Sequence, residues 1–166
     1  SKLGVDELGV FDLRDSEARV GAIRDILSAV KYRPIAEREE LTRAIAVSAG
    51  GDQLPDNLMM THEQVRALLQ EGMQIGAHTV SHPILAHLDA ARLRAEIVGS
   101  RDALQDLLGE PVTLFAYPNG KPDADYSVAN VQSVREAGFE AAFSTAWGVA
   151  SCNSDPYQLP RFTPWD

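Results

Sequence analysis

The sequence predicts an α/β fold with mainly parallel strands, preceded by a helical hairpin. Three observations carry this prediction. Short apolar runs at Met73 to Ala77, Val112 to Tyr117 and Phe139 to Ser144 have the length of buried strands. Amphipathic stretches of helical spacing separate these runs, and helical crossovers join strands that run parallel. Before residue 57 the periodicity is helical only.

Residues 1–15 carry Gly4, Gly9 and scattered charges, and read as an irregular lead-in. From Ser16, a plausible N-cap, to Lys31 the apolar positions Val20, Ile23, Leu27 and Val30 recur at helical intervals. Pro34 opens a second helix with Ile35, Leu41, Ala44 and Ile45 on one side. Glu37, Arg38, Glu39, Glu40 and Arg43 form its solvated face. Gly50-Gly51 ends it, and Gln53 to Asn57 reads as a polar loop around Pro55. Thr61 and Gln64 have capping-box spacing for a helix carrying Val65, Leu68 and Leu69, which Gly72 stops. After the Met73 strand, a long helix from Asp89 to Leu108 places Leu93, Ile97, Leu104 and Leu108 inward, with Gly109 as its stop. Ser127 caps a helix carrying Val128, Val131 and Val134 up to Gly138, and Gln158 to Phe162 is a short fourth strand. Residues 1–56 are thus a helical lead-in or insertion, and residues 57–166 the βα units of the same domain.

The 166 residues suggest one domain, and the apolar share of 45% and charged share of 23% are ordinary for a globular protein. No apolar run is long enough to span a bilayer. A net charge of −9, with no stripe of Lys and Arg, argues against nucleic acid as a partner and favours a neutral or cationic substrate. Cys152 is the only cysteine, so neither an intrachain disulfide nor a Cys-rich zinc site is expected. The compartment is not readable, and the start Ser1-Lys2-Leu3-Gly4 does not look like a natural one.

The chemistry gathers around Gly76-Ala77-His78-Thr79-Val80-Ser81-His82-Pro83. Two histidines four apart after a strand are a metal-site arrangement, because both imidazoles can converge from one turn. On spacing alone, two surface histidines are the commoner reading. Parallel βα folds collect reactive groups in the loops after the strands. Those loops also hold Tyr117-Pro118-Asn119-Gly120, Thr145-Ala146-Trp147-Gly148 and Arg161.

This ordered set resembles the polysaccharide deacetylases, carbohydrate esterases with the NodB-homology domain. Gly76 to Leu85 is similar to their second motif and Phe115 to Gly120 to their third. Ala137-Gly138-Phe139 with Ala142 to Thr145 resembles the penultimate βα unit, and Leu159-Pro160-Arg161 stands where the last motif falls. The Met59-Met60-Thr61 stretch and the charged hairpin resemble the exopolysaccharide-cluster branch. The resemblance implies the C-terminal part of a distorted (β/α) barrel in a protein that hydrolyses acetyl groups from polysaccharides or amino-sugar oligomers. It implies a divalent metal, commonly zinc, held by His78, His82 and an aspartate, with a second aspartate as general base. Thr79 and Ser81 would set the turn. The catalytic positions left in this chain are Asn119, where the family offers a backbone N–H to the oxyanion, and Arg161 at the last motif.

Departures accompany the matches. The family's early pair of aspartates is absent, since Asp12 and Asp15 lie in no buried strand, so the chain looks like the C-terminal portion of a longer protein. Ala116 replaces the third-motif arginine, and a general-acid histidine is missing near Arg161. Trp147 and Tyr117 are candidate substrate-binding rings, although core packing explains Tyr117 equally well. Arg161 binds substrate or pairs with a carboxylate. His87 and His62 read as surface histidines, Glu96 and Arg101 as helix-surface charges, and Asp123 and Asp125 as loop solvation within reach of the histidine loop. The expectation is deacetylation by the full-length protein and none by this chain alone. The alternative is a non-catalytic, carbohydrate-binding or degenerate domain. Loss of the first barrel strand would leave an edge beside Met73, to be covered by residues 1–56 or by homo-oligomerisation.

Overall fold

The structure is a computed structural model that describes residues 1–51 and 57–162. Residues 53–56 of the expected polar loop lie outside the described residues. The chain divides into two compact units, Ser1–Met59 and Met60–Asp166.

The first unit opens with strands, which corrects the irregular lead-in. β1 (Lys2–Val5) pairs antiparallel with β2 (Gly9–Asp12), with Leu3 opposite Phe11 and Val5 opposite Gly9. Leu3 and Val5 point inward while Lys2 and Gly4 face solvent, which is the period-two alternation of a half-buried strand. Four residues interrupted by glycine are too short to announce that period. α1 (Ser16–Lys31) is capped by Asp15, whose side chain accepts from the Ala18 N–H at 2.8 Å; Ser16 is already helical. α2 (Ile35–Ser48) follows Pro34 and buries Leu41, with Ile35, Ala44 and Ile45 half-buried. Within this unit α1 packs on β2 and α2 on β1. The helix spans the expected residues, but its apolar positions are mostly not buried. Ala22 is buried, whereas Val20, Ile23 and Leu27 are exposed.

The second unit carries the parallel architecture. α3 (His62–Gln70) has the full capping box: Thr61 accepts from Gln64 N–H, and the Gln64 side chain accepts from Thr61 N–H. α4 (Ala90–Leu108) is capped by Asp89 and terminated by Gly109 at φ 72°, a left-handed conformation that favours glycine. β3 (Leu114–Ala116) pairs parallel with β4 (Ala141–Phe143), and α5 (Val128–Glu136) crosses between them, capped by Ser127. Single parallel bridges extend the pairing outward, Ala77 to Phe115 and Phe143 to Leu159. The expected strands at Met73 to Ala77 and Gln158 to Phe162 are therefore shorter than read. Among the described residues each has a partner on one side only, which leaves most of its ladder unformed. The sheets described have two strands each, and no closed barrel is seen among these residues.

The core joins Ala77, Leu85, Leu93, Ile97, Val112, Phe115, Tyr117, Tyr126, Val131, Val134, Phe139 and Ala142. Val128 is exposed, and the inward face of α5 is formed by Asn130, Val131 and Val134. The four parallel segments end on one side, and their loops bring the chemistry together.

Candidate functional site

His78 follows the Ala77 bridge directly. Its Nδ1 lies 2.7 Å from the Ala116 carbonyl oxygen at the end of β3. A carbonyl only accepts, so Nδ1 is the protonated nitrogen, and a neutral ring then carries its lone pair on Nε2. That is the orientation a ligating histidine needs. The His82 ring meets the His78 ring edge-on, with centroids 4.8 Å apart. The turn between them is strained: Thr79 has φ 64° and His82 φ 53°, and such residues cost about 1–3 kcal/mol each. Thr79 Oγ1 accepts the His82 N–H at 3.1 Å, which satisfies the turn from within.

A carboxylate from α4 holds the same turn from outside. Glu96 Oε2 accepts from Val80 N–H at 2.8 Å and Ser81 N–H at 2.9 Å, and Oε1 accepts from Ser81 Oγ–H at 2.6 Å. Glu96 is thus no mere helix-surface charge, which corrects the sequence reading. Its signal was legible, because positions 93, 96, 97 and 100 form one helical stripe and Leu93, Ile97 and Ser100 are its buried members. A charge inside an apolar stripe asks for a partner.

The turn's exit is packed too. Pro83, Ile84 and Leu85 are buried, and the Leu85 carbonyl accepts from Asn130 Nδ2 at 3.5 Å. Asp125 is fully buried rather than a solvated loop residue. Its Oδ2 accepts from Lys121 N–H at 3.0 Å, and its carbonyl accepts from Ala86 N–H at 3.1 Å. Its backbone carbonyl thereby braces the histidine loop. His87 is exposed on the turn Leu85–His87, and His62 is exposed at the start of α3.

Asn119 sits in the turn after β3 at φ 60°, half-buried. Its carbonyl accepts from Thr145 Oγ1–H at 2.8 Å, and the Gly120 carbonyl accepts from Thr145 N–H at 2.8 Å, which ties this turn to the loop after β4. Among the described residues no acceptor takes the Asn119 backbone N–H. Trp147 is exposed at 61% and meets Phe162 edge-on at 4.7 Å. Arg161 is exposed; its N–H donates to the Ala146 carbonyl at 3.0 Å, and no carboxylate pairs with its guanidinium among the described residues. The expected structural ion pair is therefore absent there. Tyr117 is corrected as a substrate ring. It is fully buried, stacked on Tyr126 at 3.9 Å and 11°, and its hydroxyl donates to the Tyr157 carbonyl at 2.9 Å.

A catalytic zinc site ordinarily takes three protein ligands. Among the described residues no group of three His, Cys, Asp or Glu side chains could hold a metal ion. The two imidazoles fit a borderline divalent ion as part of a donor set, because imidazole nitrogen suits such an ion and both rings come from one turn.

Comparison with known proteins bears on this geometry. A family model described as polysaccharide deacetylase matches residues 41–142. YxkH of Bacillus subtilis (strain 168), assigned by name to the polysaccharide deacetylases, is 26% identical over 102 residues, covering 61% of this chain and 35% of that protein. The deacetylase PplD of Streptococcus pyogenes, solved in complex with acetate, is similar with a TM-score of 0.59 and 26% identity, over 64% of this chain and 45% of its own. The BpsB deacetylase domain of Bordetella bronchiseptica shares the fold with a TM-score of 0.57 at 18% identity, over 65% of this chain and 50% of its own. The chain spans about a third to a half of the relatives it matches.

Proposed function

The chain belongs to the polysaccharide deacetylase family, and from that premise we propose that it supplies the two-histidine half of a metal-dependent site that hydrolyses acetyl groups on a polysaccharide. The supporting observation is the histidine pair itself: His78, held by the Ala116 carbonyl, stands edge-on to His82 at 4.8 Å within the family-matched segment. A divalent ion such as Zn²⁺, when held by His78 and His82, supplies Lewis acidity toward the acetyl carbonyl. The remaining work falls to this chain's residues. Asn119 N–H, with no acceptor among the described residues, is the donor to the oxyanion that develops as the acetyl carbon becomes tetrahedral. Trp147 offers an exposed ring face to a pyranose, and the Arg161 guanidinium, without a carboxylate partner among the described residues, binds substrate oxygens. The acetate held by PplD is the product such a reaction releases.

Two functions are not supplied by the described residues: a third ligand and a base. Arg161 cannot be that base, since guanidinium stays protonated. A histidine that takes a proton on its lone pair no longer ligates. We therefore expect this chain alone to bind Zn²⁺ weakly and to release no acetate, the aspartates coming from elsewhere in a longer protein. Calorimetric titration with Zn²⁺ tests the site. Weak binding abolished by His78→Ala supports it, and binding unchanged in that variant places the metal elsewhere. A chain that binds acetylated oligosaccharide through Trp147 but no Zn²⁺ would instead be a carbohydrate-binding, degenerate domain.

A further inference from the structure

We infer that Glu96 is the positioning residue of the histidine turn: its carboxylate holds the two residues between His78 and His82 so that the two rings converge. This rests on the reading of that pair as ligands and deepens it. Three donors meet the carboxylate, the Val80 N–H at 2.8 Å, the Ser81 N–H at 2.9 Å and the Ser81 hydroxyl at 2.6 Å. Bonds to an ionised acceptor are roughly twice as strong as neutral ones. They fall where the turn is least able to hold itself. Thr79 and His82 both have positive φ, and Thr79 is β-branched, so the backbone between them is strained.

The two ends of the turn are secured by other means. His78 is tied to the Ala116 carbonyl in front, and Pro83, Ile84 and Leu85 are buried behind. The middle projects outward, with Val80 exposed, and α4 reaches it through Glu96. The helix is fixed at that point by the core contacts of Leu93 and Ile97 on either side of Glu96. A rigid element therefore carries the acceptor, and a strained turn carries the donors. Glu96 bonds to positions 80 and 81, so its effect on the imidazoles passes through the backbone. Glutamine can reproduce the pattern: its amide oxygen takes both N–H groups, and its NH₂ donates to the Ser81 hydroxyl. Alanine cannot.

The test uses the ¹⁵N-labelled chain, first without metal. In Glu96→Ala the Val80 and Ser81 amides should exchange about tenfold faster or more, and the nuclear Overhauser contact between the two imidazole rings should be lost. The Ala77 amide, bonded to the Leu114 carbonyl at 2.8 Å, should keep its protection and so report that the fold is intact. Glu96→Gln should behave like the parent. Titration with Zn²⁺ alone should then weaken by about 10–100-fold in Glu96→Ala and change little in Glu96→Gln. Unchanged exchange at Val80 and Ser81 in Glu96→Ala would overturn the inference, as would a Glu96→Gln variant as disturbed as the alanine. Zn²⁺ binding absent from the parent, with the exchange pattern as expected, would remove the ligand reading and leave the positioning role standing.

Discussion

Tyr117 and Tyr126 stack in the core beneath the site, and burial pushes both hydroxyls above the ordinary tyrosine range. The ordinary value is about 10. In the alkaline range the unfolded chain ionises first and binds fewer protons than the folded one, so stability falls as pH rises. Their contribution is fully present below pH about 10 and fades above it. Tyr117→Phe should show a shallower alkaline fall in its urea midpoint, at the cost of the bond to the Tyr157 carbonyl. An unchanged slope would mean that Tyr117 does not carry the effect. Gly120 makes a second prediction at this scale. Its φ is 73°, and a Cβ there would sit 2.9 Å from the Thr145 backbone nitrogen and 3.1 Å from the Tyr117 carbonyl oxygen. Gly120→Ala should destabilise by about 2 kcal/mol or more, measured by urea unfolding. Amide shifts should also show displacement of the Asn119 N–H that the proposed mechanism uses.

Among the elements, α3 depends on its capping box, and Thr61→Ala should lower stability by about 1 kcal/mol with no change in Zn²⁺ affinity. A denaturation midpoint unmoved by the substitution would count against the cap. This element was legible because side-chain type and spacing determine a cap locally, as they do for Asp89, Gly109 and Ser127. What was not legible depends on neighbours. The β1–β2 hairpin has too few residues to show its alternation, and the exposed face of α1 is decided by tertiary packing rather than by helical period. The histidine pair drew notice through the ordered motifs that follow it, since four-residue spacing alone reads more often as two surface histidines. Its bracing by Glu96 and by the Asp125 carbonyl was missed, since both acceptors lie far along the chain from their donors.

For the whole molecule, the parallel segments ending at Ala77, Ala116, Phe143 and Leu159 place the histidine turn, the Asn119 turn and the Trp147 loop at one end of the unit Met60–Asp166. The segment before Ala77 has a pairing partner on the β3 side only among the described residues, and Met73 is 58% exposed. Such an edge binds a further strand readily. Concentration-dependent association in light scattering is therefore expected for this chain alone, and a clean monomer at all concentrations would contradict it. Acetate release from an acetylated amino-sugar oligomer tests the central claim most directly. It would compare this chain with a longer protein in which the chain continues from a segment bearing an aspartate pair. The account predicts none from the chain alone, and Zn²⁺-dependent release from the longer protein that His78→Ala abolishes. Enzyme-like release by the chain alone that survives His78→Ala would contradict it.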